Sequence, residues 1–173
     1  MSTATDSRTA LLEMRDITKS FPGVRALDGV SFDLHGGELH ALVGENGAGK
    51  STLMKVLGGV YPYGSYGGDV VIDGRVRQFA GVRDSEHAGV AVIFQELSLI
   101  KGLTIGENIF LGREPSRFGV IRWEELYSRA QKLLDELNLP LDPRTPVEQL
   151  GIGQQQLVEI AKALSQEARI LVL

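Results

Sequence analysis

The sequence predicts a mixed α/β domain, strands early in the chain and helices concentrated later. Three observations carry this. Residues 39–43, 90–94 and 170–173 are short, mostly apolar runs, as strands buried on both faces are. Residues 11–17 and 25–34 mix apolar and polar positions as a half-covered sheet does. Apolar residues at helical spacing are concentrated between 104 and 165.

Size and composition fit one domain. The chain has 173 residues, 43% hydrophobic and 23% charged, enough to bury a core without a metal or disulfide staple. It contains no cysteine, which excludes disulfide scaffolds, thiolate zinc sites and cysteine nucleophiles. With 18 Lys+Arg against 22 Asp+Glu the net charge is −4, which argues against binding a nucleic-acid backbone. Residues 1–9 are polar and Ser/Thr-rich, unlike a signal peptide, and read as a short disordered tail. No run approaches the roughly 18 apolar residues of a membrane span, so any work at a membrane requires another chain to hold this one there.

The elements follow in order. His35-Gly36-Gly37-Glu38 ends the second alternating strand, and residues 39–43 form a buried strand that runs into a glycine-rich loop. Residues 50–57 form a helix stopped by Gly58-Gly59. Asp73-Gly74 turns a hairpin between 69–72 and 75–79. Thr104 and Glu107 stand at capping-box spacing ahead of a short helix. Leu126, Ala130, Leu133, Leu134 and Leu137 line one face of a longer helix that Asn138 and Pro140 end. A last helix begins near Gln154, with Leu157, Ile160, Ala161 and Leu164 on one face, and residues 170–173 are strand-like.

The loop between the strand at 39–43 and the helix at 50–57 carries the chemistry. Gly44-Glu45-Asn46-Gly47-Ala48-Gly49-Lys50-Ser51 satisfies the G-x-x-x-x-G-K-[ST] pattern in full and in the context it requires. Glycines let backbone N–H groups wrap a phosphate at the positive end of a helix. Lys50 adds a mobile charge for the β- and γ-phosphates, Ser51 an oxygen ligand for Mg²⁺, and Thr52 a hydroxyl near the α-phosphate. By itself the motif specifies a nucleoside triphosphate. A small-molecule kinase or GTPase would use the same loop, but those families lack the Gly153-Gln154-Gln155-Gln156 helix start found here, and a GTPase would also need an Asn-Lys-x-Asp base-reading motif that the sequence does not contain. His35, His40 and His87 have neither metal-ligand nor triad spacing.

From residue 11 to 173 the sequence resembles the ABC-transporter ATPases, and the resemblance implies a P-loop NTPase fold: a mixed α/β domain whose mixed sheet has a parallel core, with an antiparallel N-terminal strand region and a helical arm. Phe21, in Lys19-Ser20-Phe21-Pro22-Gly23-Val24, matches the family's adenine-stacking aromatic. Gln95, after a buried strand, matches the glutamine that reaches Mg²⁺ and couples to the membrane subunit. Leu150-Gly151-Ile152-Gly153-Gln154 resembles the LSGGQ signature, which holds the γ-phosphate of ATP bound to the opposite ATPase domain. Gly151 stands where the family has Ser and Ile152 where it has Gly, so one hydroxyl contact is lost and the segment is stiffer. Residues 58–68, 107–112 and 153–164 look like the ATP-binding subunits of bacterial xylose importers, with ribose, galactose and arabinose importers as close relatives.

The resemblance implies three segments: a nucleotide-binding core at 10–103, a helical arm with the signature at 104–165, and the start of the Walker B strand at 166–173. It implies ATP and Mg²⁺ as cofactors, with Ser51 and Gln95 serving the metal. It implies an ATP-hydrolysing sugar translocase, peripheral at the cytoplasmic face of the bacterial inner membrane. Its partners would be membrane permease subunits, a periplasmic sugar-binding protein and a second ATPase domain. The Walker B Asp, the catalytic Glu and the switch His are absent, so residues 1–173 alone are expected to be a hydrolysis-incompetent nucleotide-binding fragment, marginal in stability.

Overall fold

Strands β1 (Leu12–Phe21) and β2 (Val24–Leu34) pair as an antiparallel hairpin turned by Pro22-Gly23. The structure, a computed structural model, describes residues 10–93, 98–166 and 168–173, so the tail at 1–9 lies outside the described residues. The chain divides into two compact units, 1–90 and 91–173.

In the first unit β1 also pairs with β3 (Gly67–Ile72), and β3 with β4 (Arg75–Arg77), giving a four-stranded antiparallel sheet in the order β2-β1-β3-β4. The β3–β4 turn has Asp73 and Gly74 both at positive φ, 52° and 69°, the left-handed pair that matches strand twist. Helix α1 (Lys50–Leu57) supplies Leu53, Val56 and Leu57, and the sheet Leu12, Met14, Ile17, Val70 and Ile72, to the buried set of this unit. Helix α2 (Val82–His87) follows, and its buried Ser85 hydroxyl donates to the Gly58 carbonyl at 2.8 Å. Gly59 makes that approach possible, since a Cβ there would lie 2.5 Å from the Gly81 oxygen.

The second unit opens in β5 (Val90–Val92), which pairs with β8 (Ile170–Val172). Between them lie α3 (Ile105–Ile109), a two-residue hairpin β6 (Ser116–Arg117) and β7 (Val120–Ile121), α4 (Trp123–Glu136), a 3₁₀ turn at Val147–Gln149 and α5 (Ile152–Leu164). Ile105, Ile109, Ala130, Leu134, Val147, Val158 and Ala161 make one buried cluster from α3, the turn and both long helices. Thr104 closes the predicted capping box with Glu107. Asn108, fully buried, accepts from the Ile100 N–H at 2.8 Å and donates to the Ile100 and Thr104 carbonyls at 3.0 Å, fixing the loop before the helix.

Two expectations are corrected. Residues 39–43 are not a buried strand: they join none of the sheets, and Leu39 and Val43 are 97% and 88% exposed. A fully buried strand takes its backbone bonds and its cover from neighbours on each side, and no described strand lies against this segment. Helix α5 opens at Ile152 rather than near Gln154, because Gly151 is extended (φ −64°, ψ 157°) and Gln154 accepts from its N–H. Helix α2 and the β6–β7 hairpin are absent from the sequence reading, each being too short to show a period.

Candidate functional site

The loop at 44–49 is shaped by its glycines. Gly47 and Gly49 both stand at φ 87°, a left-handed conformation that a side chain disfavours. At Gly49 a second constraint applies, for a Cβ would lie 2.4 Å from the Ala26 oxygen and 2.9 Å from Leu27 Cδ2. The end of the loop is thereby seated against β2. Helix α1 starts at once, with its first bond from the Leu53 N–H to the Gly49 carbonyl at 2.9 Å and no side chain capping its N-terminus. The first-turn N–H groups keep their donor capacity, and the positive end of the helix faces the loop.

Lys50 arches over the loop, its Nζ donating to the Gly44 and Glu45 carbonyls at 2.5 and 2.8 Å. Gly44 to Ala48 are exposed, Ser51 is exposed at the second position of α1, and Thr52 is half-buried. A hydroxyl there is a hard oxygen donor of the kind Mg²⁺ prefers. Among the described residues no cluster of acidic or histidine side chains could hold a metal alone.

Phe21, at the end of β1, is 36% exposed and meets Tyr61 edge-on with ring centroids 5.6 Å apart. It pairs with Val24 in the hairpin, and Ala26 and Leu27, on which Gly49 rests, follow on the same strand. Phe21 and the phosphate loop thus belong to one unit, Phe21 as the end of β1 and the loop as a neighbour of β2. Sequence reasoning missed Tyr61 and Lys19, whose ammonium lies 5.4 Å from the Phe21 ring centre and 4.7 Å from that of Tyr61. Only the aromatic spelling of 61–66 hinted at them. Nearby, burial pushes the Tyr66 phenol above its ordinary value, with Tyr63 and Asp69 acting in the same direction.

The signature segment lies in the second unit. Leu150 is buried, while Gly151, Ile152, Gly153 and Gln154 are exposed at the start of α5, Ile152 at 71%. Gln154 Oε1 accepts from the Gly151 N–H at 3.1 Å, and Gln155 Nε2 donates to the Leu150 carbonyl at 2.9 Å. Gln95 lies outside the described residues. Further along α5, the buried Glu159 carboxylate accepts from the Ser98 N–H at 3.1 Å and from the Ser98 hydroxyl.

The ABC transporter family profile matches residues 27–173, the span holding the loop, both long helices and the signature. The chain belongs to the ABC transporter family. It is 63% identical over 163 residues to a xylose import ATP-binding protein of Thermoanaerobacter pseudethanolicus, covering 94% of this chain and 32% of that protein. It is 56% identical, with the same coverage, to an L-arabinose transport ATP-binding protein of Geobacillus stearothermophilus. The chain therefore spans about a third (32%) of the length of these curated relatives. Among solved structures it superposes on an ATP-binding cassette of an ABC transporter with a TM-score of 0.79 at 28% identity, covering 94% of this chain and 68% of that one. A nucleotide-free cassette gives 0.76 at 27% identity, with 94% and 68% covered. The resemblance drawn from motifs and the fold class it implied both hold.

Proposed function

We propose that this ABC-family chain binds MgATP as part of the ATP-binding subunit of a monosaccharide importer, with D-xylose as the sugar. The observation that carries the proposal is the phosphate loop: two left-handed glycines, a lysine reaching back to the Gly44 and Glu45 carbonyls and an uncapped helix start are the parts of an anion cradle. The sugar rests on likeness to xylose import proteins, with the arabinose transport relative as the competing choice.

In this reading Phe21 stacks on the base, and the N–H groups of 44–52 receive the phosphates with Lys50 moving from its loop carbonyls onto them. Ser51 and Gln95 would hold Mg²⁺, which when bound would supply charge neutralisation for the triphosphate. Leu150 to Gln154 would close over the γ-phosphate of a second ATPase domain. The division into a nucleotide-binding core at 10–103, an arm at 104–165 and a Walker B strand beginning within 166–173 belongs to the same proposal. Permease subunits and a periplasmic sugar-binding protein would complete the importer. The site at the cytoplasmic face would be peripheral; among the described residues no helix is long and apolar enough to cross a membrane.

The test is ATP-dependent xylose uptake by cells carrying the natural gene against cells lacking it. Lys50→Ala is expected to abolish uptake, and ATP is expected to outcompete GTP for the purified protein. Arabinose uptake in place of xylose would move the sugar, and undiminished uptake with Lys50→Ala would sink the nucleotide assignment. The signature supports a second reading, a site that binds ATP but turns it over slowly, because Gly151 brings no hydroxyl. A Gly151→Ser, Ile152→Gly double variant should then hydrolyse ATP faster than the natural protein.

A further inference from the structure

Lys19 is only 9% exposed, and a buried ammonium needs compensation for the water it has lost. It finds this in three groups: the face of Tyr61 at 4.7 Å, the face of Phe21 at 5.4 Å and the Ser65 carbonyl, to which Nζ donates at 2.5 Å. Each belongs to a different part of the unit. Phe21 ends β1, while Tyr61 follows α1, its N–H donating to the Lys55 carbonyl of that helix at 3.2 Å. Ser65 belongs to the loop that leads into β3.

Taking Phe21 as the base-stacking ring, as proposed above, we infer that Lys19 is a positioning residue that fixes this ring relative to the phosphate-loop helix. The route is continuous: Phe21 to Lys19, Lys19 to Tyr61, and Tyr61 to the last turn of α1. The other end of α1 is fixed to the same hairpin, because Gly49 rests on Ala26 and Leu27, and Leu27 is the cross-strand partner of Lys19. Both ends of the helix are thus tied to β1 and β2 within a few residues of Phe21. A ligand that bridges the ring and the loop gains affinity when their spacing is set before it arrives. A cation shared by two ring faces sets that spacing.

The test compares ATP with tripolyphosphate, which has the phosphates and no base, as ligands of the natural full-length protein. Lys19→Met keeps the aliphatic stem and is expected to weaken ATP about fivefold to tenfold while changing tripolyphosphate by less than about twofold. Lys19→Arg, which can also sit on ring faces, should bring ATP affinity back to within about twofold of the natural protein. Equal losses for both ligands would mean a general structural role and would overturn the inference. So would unchanged ATP binding in Lys19→Met alongside a loss in Phe21→Ala. If Phe21→Ala leaves ATP binding intact, the base-stacking reading fails first and takes the inference with it.

Discussion

Three helices, α1, α2 and α5, begin just after a glycine, and the glycines ahead of α1 and α5 do different work. At α1 Gly49 has a positive φ of 87° and no room for a Cβ. At α5 Gly151 is extended, and a Cβ would meet only Gln154 Oε1 at an ordinary 3.8 Å. The first start is formed by backbone pressed onto β2, leaving N–H groups free for a ligand. The second is closed by a side chain, Gln154, that accepts from the Gly151 N–H. Two glycines that read alike in the sequence therefore stand under different constraints: the fold excludes a side chain at Gly49, while the surroundings of Gly151 leave room for one.

The largest effect should come from Gly49→Ala. Adding left-handed strain to a clash with backbone should destabilise by about 2–5 kcal/mol and displace the loop. A melting temperature equal to that of the natural protein would break the distinction drawn here. Gly47→Ala is milder, because its φ is 87° but the space beside it is open, and about 1–2 kcal/mol is expected. Gly153→Ala should have the opposite sign. Gly153 lies in the first turn of α5 with nothing near its missing Cβ, so alanine should stabilise by about 0.5–1 kcal/mol. If that variant is more stable yet hydrolyses ATP more slowly, the glycine is there to let a phosphate approach. Gly151→Ser should add a few tenths of a kcal/mol by supplying a cap hydroxyl, measured as a small rise in the melting midpoint.

The smallest effect concerns another turn closed by a side chain. Glu38 accepts from the His35 N–H at 2.8 Å, and this bond, aided by His40 and His35, holds its carboxyl below the ordinary glutamate value. With the folded value below the unfolded one, the contribution is present above the unfolded pKa and is lost as pH falls through the folded one. A carboxyl titration by NMR should place Glu38 below a free glutamate. A midpoint at or above that of a free glutamate would show that the bond is not formed in solution.

Much of this was legible in the sequence because it is local. Helix α1 has the predicted bounds, the Asp73-Gly74 turn is where its dipeptide placed it, and Thr104 and Glu107 cap as spaced. The phosphate-loop pattern could be read because its glycines, lysine and hydroxyls lie within a few residues of one another. The segment 39–43 shows the limit. Its apolar letters describe residues that can be buried, but burial depends on neighbours distant in sequence, and here the segment is exposed. The Lys19 arrangement was equally hidden, since a lysine in a strand reads as a solvated charge until two rings and a carbonyl from other segments converge on it. The sequence by itself determined the phosphate-loop pattern, the bounds of α1, the Thr104–Glu107 cap and the period of α4, all set by residues a few positions apart, whereas the face that α5 buries holds Val158 and Ala163 in place of Leu157 and Leu164. Only the tertiary structure decided which glycine has no room for a side chain, which cation is buried and which apolar run stays exposed, because each depends on atoms brought together from far along the chain.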